Sequence, residues 1–109
     1  MVLLHILTIN NASTTERYKI ADSTSDFNEL IRKYSYLARY NTLNYNIVEL
    51  TEDDRDCIVK IREDITELEK QIRNLDLLEV VRSAIGSQLE KLYKLSNEAI
   101  EYELEKGKK

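Results

Sequence analysis

Apolar residues change their spacing from one segment of this chain to the next, and each spacing predicts an element. Val2 to Ile9 is almost continuously apolar and stops at Asn10 and Asn11, which suits a buried strand ended by a turn. After a polar loop, Arg17 to Asp22 alternates, with Tyr18 and Ile20 on one face, as a second strand pairing antiparallel with the first. From Asp22 to Asn41, Phe27, Leu30, Ile31, Tyr34, Leu37 and Ala38 recur at helical spacing and predict one amphipathic helix. Asp26 and Glu29 in its first turn, with Arg32, Lys33 and Arg39 later, match the direction of the helix dipole. Leu43, Tyr45 and Ile47 then alternate with Asn44 and Asn46, a third strand that reaches Leu50.

From Thr51 the pattern is helical throughout. Thr51 with Asp54 resembles a capping box, and Ile58, Ile61, Ile65, Leu68, Ile72 and Leu75 step by three and four along a narrow seam. Beyond Asp76 the apolar face widens: Leu77, Leu78, Val80, Val81, Ala84, Ile85, Leu89, Leu92, Leu95, Ala99 and Ile100 demand cover from two sides. The seam slips between Leu75 and Leu78, Asp76 and Glu79 repeat an acidic helix start, and Asn74 can take a left-handed cap. These signals predict a turn at Asn74–Asp76 between helices Glu52 to Arg73 and Leu77 to about Lys106, although a straight helix can also absorb such a slip. The fold class expected is α+β: a small three-stranded sheet with one packed helix (1–50), then a long coiled-coil-like helical hairpin (51–109), in one domain.

The unequal apolar faces bear on assembly. A homodimer is expected, formed as a two-fold four-helix arrangement along Ile58, Ile61, Ile65, Leu68, Ile72, Leu78, Val81, Ile85, Leu89 and Leu92. Edge-to-edge joining of two sheets is the other way to pair copies.

Composition narrows the function classes. The 109 residues carry a net charge of −4, mild and without an acidic or basic tail, which disfavours bulk electrostatic binding to nucleic acid or anionic membrane. One cysteine, Cys57, and one histidine, His5, make neither an internal disulfide nor a zinc site, so no metal or cofactor is expected and the address is intracellular. The apolar start is too short to span a bilayer and lacks a basic flank. No proline and abundant Ile, Glu and Lys lean toward a heat-adapted source, with eight asparagines pointing the other way.

Candidate chemistry is sparse. His5 sits among aliphatics, where a packed histidine is expected rather than a general base, and Cys57 flanks the seam as a small core residue. Ser83, Gly86 and Ser87 lie at helical spacing and would let another helix approach closely; Gly107 with the final lysines suits a helix end. Arg32, Lys33, Tyr36, Arg39 and Tyr40 combine basic and aromatic groups, the pairing that single-stranded nucleic acid uses for phosphates and bases. Asn10, Asn11, Ser13, Thr14, Thr15 and Arg17 form a polar loop after the first strand, where a nucleotide-like anion could bind at a dimer interface. No set of residues completes a catalytic constellation. The leading expectation is therefore a non-enzymatic oligomeric interaction protein that dimerises through its C-terminal helices and presents a surface, acidic near Glu63 to Lys70, to a protein partner. A nucleic-acid-binding regulator and a small-ligand protein or enzyme are the alternatives.

Overall fold

β1 (Val2–Ile9) is the middle strand of a three-stranded antiparallel sheet, with β2 (Tyr18–Ala21) on one side and β3 (Leu43–Leu50) on the other. The computed structural model describes residues 1–74 and 76–106. Leu4 and Ile6 turn to one face of the sheet and meet Ile58 and Ile100 of the C-terminal helices, while Leu7 and Ile9 turn to the other and meet Phe27. Because both faces of β1 are dry from Leu4 to Leu7, its sequence is a near-continuous apolar run, interrupted by His5 and Thr8, instead of an alternation. The turn that leaves β1 is set by Asn11, whose left-handed backbone (φ 67°) is one that asparagine tolerates better than most residues.

α1 (Thr24–Tyr34) packs on the Leu7 face, and its start is fixed by the Ser23 hydroxyl, which accepts from the Asp26 amide at 3.2 Å. The single helix expected to Asn41 is corrected here: Ser35–Arg39 tighten into a 3₁₀ turn. Ser35 Oγ donates back to the Arg32 carbonyl at 3.0 Å, competing with the helical ladder, and the tighter winding brings Leu37 to the core beside Leu43. Ala38, which the helical spacing placed on the apolar stripe, is exposed as a result.

The C-terminal segment is a hairpin of α2 (Glu52–Ile72) and α3 (Glu79–Lys106). Ile58 meets Ile100 near its base, Glu69 meets Tyr93 midway, and a Cβ added at Gly86 would lie 3.9 Å from Ile72 near the tip, so the helices run antiparallel. Thr51 caps α2 as expected, accepting from the Asp54 amide at 3.1 Å. The turn comes at Asn74, but by a different device from the left-handed cap. Among the described residues the left-handed non-glycine is Asn11; Asn74 instead accepts from the Asp76 amide through its side chain at 3.0 Å and from Arg82 through its carbonyl at 2.8 Å. Leu75 of the expected seam and Gly107 of the expected helix end lie outside the described residues.

The seam is spent mostly inside the protomer. Ile58, Ile65 and Ile85 are buried, Ile61, Leu68, Ile72, Leu89 and Leu92 are half-buried, and Leu78 and Val81 are exposed. The second layer of cover that α3 needed comes from the sheet, on which Ala99, Ile100 and Leu104 pack. The start of α3 and Leu95 lack it.

Candidate functional site

The β1–β2 loop and the hairpin enclose a cleft of about 780 Å³, with Ser13 to Glu16 on one wall and Glu69, Glu90 and Tyr93 on the other. Asn97, buried on α3, holds the loop by donating from Nδ2 to the Thr14 carbonyl at 2.9 Å. Of the six loop residues singled out by sequence, the cleft keeps Ser13, Thr14 and Thr15. Asn10 is turned away to donate to the Thr42 carbonyl at 3.0 Å, Asn11 makes the turn, and Arg17 lies 3.9 Å from the Glu101 carboxylate. Lys19 also borders the cleft, but its ammonium lies over the Tyr34 ring, so the charge facing the cleft comes from Glu16, Glu69 and Glu90. That balance opposes a phosphate-bearing ligand, since each nearby carboxylate raises the electrostatic cost of a second anion.

Two tyrosines are tied to carboxylates around this region. Tyr18 donates to Glu101 at 3.1 Å and Tyr93 donates to Glu69. Burial, reinforced by the hydrogen bond and the negative charge of the partner, pushes both phenols up to about 12. Neither can act as a base near neutrality; Tyr18 ties β2 to α3, and Tyr93 ties the two helices of the hairpin to each other.

The basic and aromatic residues Arg32, Lys33, Tyr36, Arg39 and Tyr40 are all exposed at the end of α1 and in the 3₁₀ turn. Tyr34, between them, is half-buried and carries Lys19 and Lys33 over its ring at 5.0 and 5.5 Å. It is a packing platform, leaving Tyr36 and Tyr40 as the open rings.

His5 is buried with its ring 5.1 Å from that of Phe27. Cys57 requires a correction: it is exposed, since the helical step that buries Ile58 against the sheet turns its neighbour outward. Among the described residues no three His, Cys, Asp or Glu side chains converge as a metal site, and no helix is long and apolar enough to cross a membrane.

Sequence reasoning missed two features. Leu3, Tyr45 and Ile47 share the α1 side of the sheet, yet α1 reaches β3 only through Phe27, whose ring meets that of Tyr45 edge-on at 6.2 Å, leaving the three side chains 50%, 51% and 58% exposed. The alternation with Asn44 and Asn46 signalled a strand without saying that its apolar side would be open. Arg62, on α2, reaches across to donate from its guanidinium to the Tyr18 carbonyl of β2. Burial pulls its pKa below the usual arginine value, against the opposing pull of Tyr93 and Glu69. Its position on the flank of the seam, between Ile61 and Ile65, gave no sign of this reach. No family model, curated protein or solved structure matches this chain, so its site is read from its own geometry.

Proposed function

We propose that this chain is a non-enzymatic interaction protein that self-associates inside the cell and offers a second surface to a protein partner. The observation that carries this reading is that two clusters of apolar groups on or beside regular elements are among those the protomer leaves uncovered. One is the sheet face of Leu3, Tyr45 and Ile47; the other is the start of α3, where Leu78 and Val80 are 71% and 72% exposed. Scattered apolar side chains are ordinary on a protein surface, whereas clustered ones on regular elements are where other chains dock. Tyrosines held protonated by carboxylates, and a cleft dominated by Glu16, Glu69 and Glu90, support structural roles for the polar groups of the hairpin. Light scattering coupled to size exclusion tests the reading. A mass of two or more protomers is expected at micromolar concentration, and a protomer mass at every concentration would reject it.

A second reading has an observation of its own: Arg32, Lys33, Tyr36, Arg39 and Tyr40 are exposed together on one stretch. As a nucleic-acid surface this patch would bind single strands with a steep salt dependence and lose binding on Arg32→Ala/Arg39→Ala with the fold retained. Salt-insensitive or absent binding would remove it.

A further inference from the structure

We infer that the open edge of β3 is where a second copy of this chain docks, antiparallel, about a two-fold axis through Asn46. The inference rests on the proposed self-association and places it on the sheet instead of the hairpin. Among the described residues β3 is an edge strand paired on one side, with β1, and its register runs without a slip from Leu43 opposite Ile9 to Leu50 opposite Val2. Edge strands are normally blunted by charge, proline or a bulge. From Thr42 to Val48 this one carries no charged residue and no proline, and its continuous pairing leaves no bulge. The other edge is not left so: Arg62 closes the Tyr18 carbonyl of β2.

The strand is self-complementary in one register. With Asn46 of each copy on the axis, Tyr45 of each stands opposite Ile47 of the other, an aromatic against a β-branched side chain, on the face that the protomer leaves open. The exposed Leu3 extends that apolar strip in both copies, since it lies beside β3 opposite Glu49. On the opposite face, a groove of about 480 Å³ walled by Asn44, Asn46, Val48 and Leu104 runs beside the same edge. The incoming strand carries its own Asn44, Asn46 and Val48 to that side, so amides meet amides across the axis.

Charge fixes the direction. Residues 30–48 contain Arg32, Lys33 and Arg39 and no acid, whereas Glu49, Glu52, Asp53 and Asp54 follow at once. In the antiparallel register Leu43 faces Glu49 of the second copy, which keeps the two Glu49 carboxylates at opposite ends of the paired stretch. Parallel pairing would set like charges together. The hairpin seam, by contrast, is filled from within the protomer and needs no second copy along most of its length.

The test uses the full chain with Cys57→Ser, which removes the exposed native thiol. Residues directly opposite in an antiparallel pair have Cα atoms about 4.5 to 5.5 Å apart, within disulfide range, so Asn46→Cys should cross-link to a dimer under mild oxidant. Asn44→Cys should not, because the two copies of residue 44 lie roughly 13 Å apart at ~3.3 Å per residue. Tyr45→Lys/Ile47→Lys and Tyr45→Glu/Ile47→Glu change half-exposed side chains, so each should keep a wild-type circular dichroism spectrum while its dimer weakens about 100-fold or more. Mixing the two variants should restore a heterodimer. A wild-type dimer in which Asn46→Cys stays unlinked and both charge variants remain dimeric would overturn this inference while leaving self-association in place. A wild type that is monomeric throughout would overturn both.

Discussion

The sheet has two edges, and the chain treats them differently. β2 has only 4 residues, and the Tyr18 carbonyl on its outer side is capped by a guanidinium from α2, with the Tyr18–Glu101 bond and the Asn97–Thr14 bond tying the same region to α3. β3 has 8 residues, and among the described residues its outer edge pairs with no other strand. The contrast comes from the hairpin's placement. Crossing the sheet with Ile58 and Ile100 over β1, it lays the Arg62 side of α2 along β2 and leaves β3 with the end of α3 on one face only. Backbone groups that find no partner in a protomer find one in water or in another chain. A closed edge therefore belongs to folding, and an open one is available for recognition.

The largest effect should come from the residue beneath both edges. Ile100 is fully buried against Leu4, Ile6 and Leu50. Ile100→Ala should cost about 2 to 5 kcal/mol, seen as a lower urea midpoint, and would loosen β2 and β3 together. Arg62→Met separates them. It keeps the aliphatic stem and deletes a charged hydrogen bond to the Tyr18 carbonyl, for a loss of about 1.5 to 3 kcal/mol. Amide exchange should quicken in β2 and stay unchanged in β3; equal quickening in both would mean that Arg62 supports the whole sheet and not one edge.

Alkaline pH should weaken the closed side as well. Tyr18 and Tyr93 have folded pKa values of about 12, above the ordinary phenol value of 10.0, so the folded state holds their protons more tightly than the unfolded chain does. Their contribution is complete below pH 10 and is lost as pH rises from 10 toward 12. The urea midpoint should fall across that window in the wild type and fall less in Tyr18→Phe/Tyr93→Phe. An identical slope in the variant would assign the loss to other groups.

How much of this was legible in the sequence follows from the range of each signal. Strands, helices and the turn at Asn74 were written locally, in the run Val2–Ile9, the stepping of Ile58, Ile61 and Ile65, and the slip at Leu78. What periodicity does not encode is which apolar side chain finds cover. Val81 and Ile85 read alike along α3, yet Ile85 is buried and Val81 is exposed. Tyr45 and Ile47 read as an apolar strand face, and that face is half open because α1 meets it only where Phe27 touches Tyr45. Arg62 was invisible for a related reason: its carbonyl partner lies 44 residues earlier in the chain. The polar loop Ser13–Thr15 did mark a cleft, but the sign of its charge was set by Glu69 and Glu90, brought there by the hairpin.

The smallest change in protomer stability should come from the open edge, and there the two edges can be told apart without any mutation that stresses the core. Ile47→Thr exchanges one half-exposed β-branched residue for another on β3, so at high dilution the urea midpoint should move by no more than about 0.5 kcal/mol. Hydrogen exchange provides the sharper reading. If β3 is covered only by a second copy, exchange of its outward amides should slow as protein concentration rises, because protection then follows the dimer population. Exchange in β2, closed within the protomer by Arg62, should not depend on concentration. In Ile47→Thr the concentration needed to protect β3 should rise while β2 keeps its wild-type rates. Concentration-dependent protection that appeared instead around Leu78 and Val80, with β3 exchanging freely at every concentration, would transfer self-association to the start of α3 and leave the sheet edge for the protein partner.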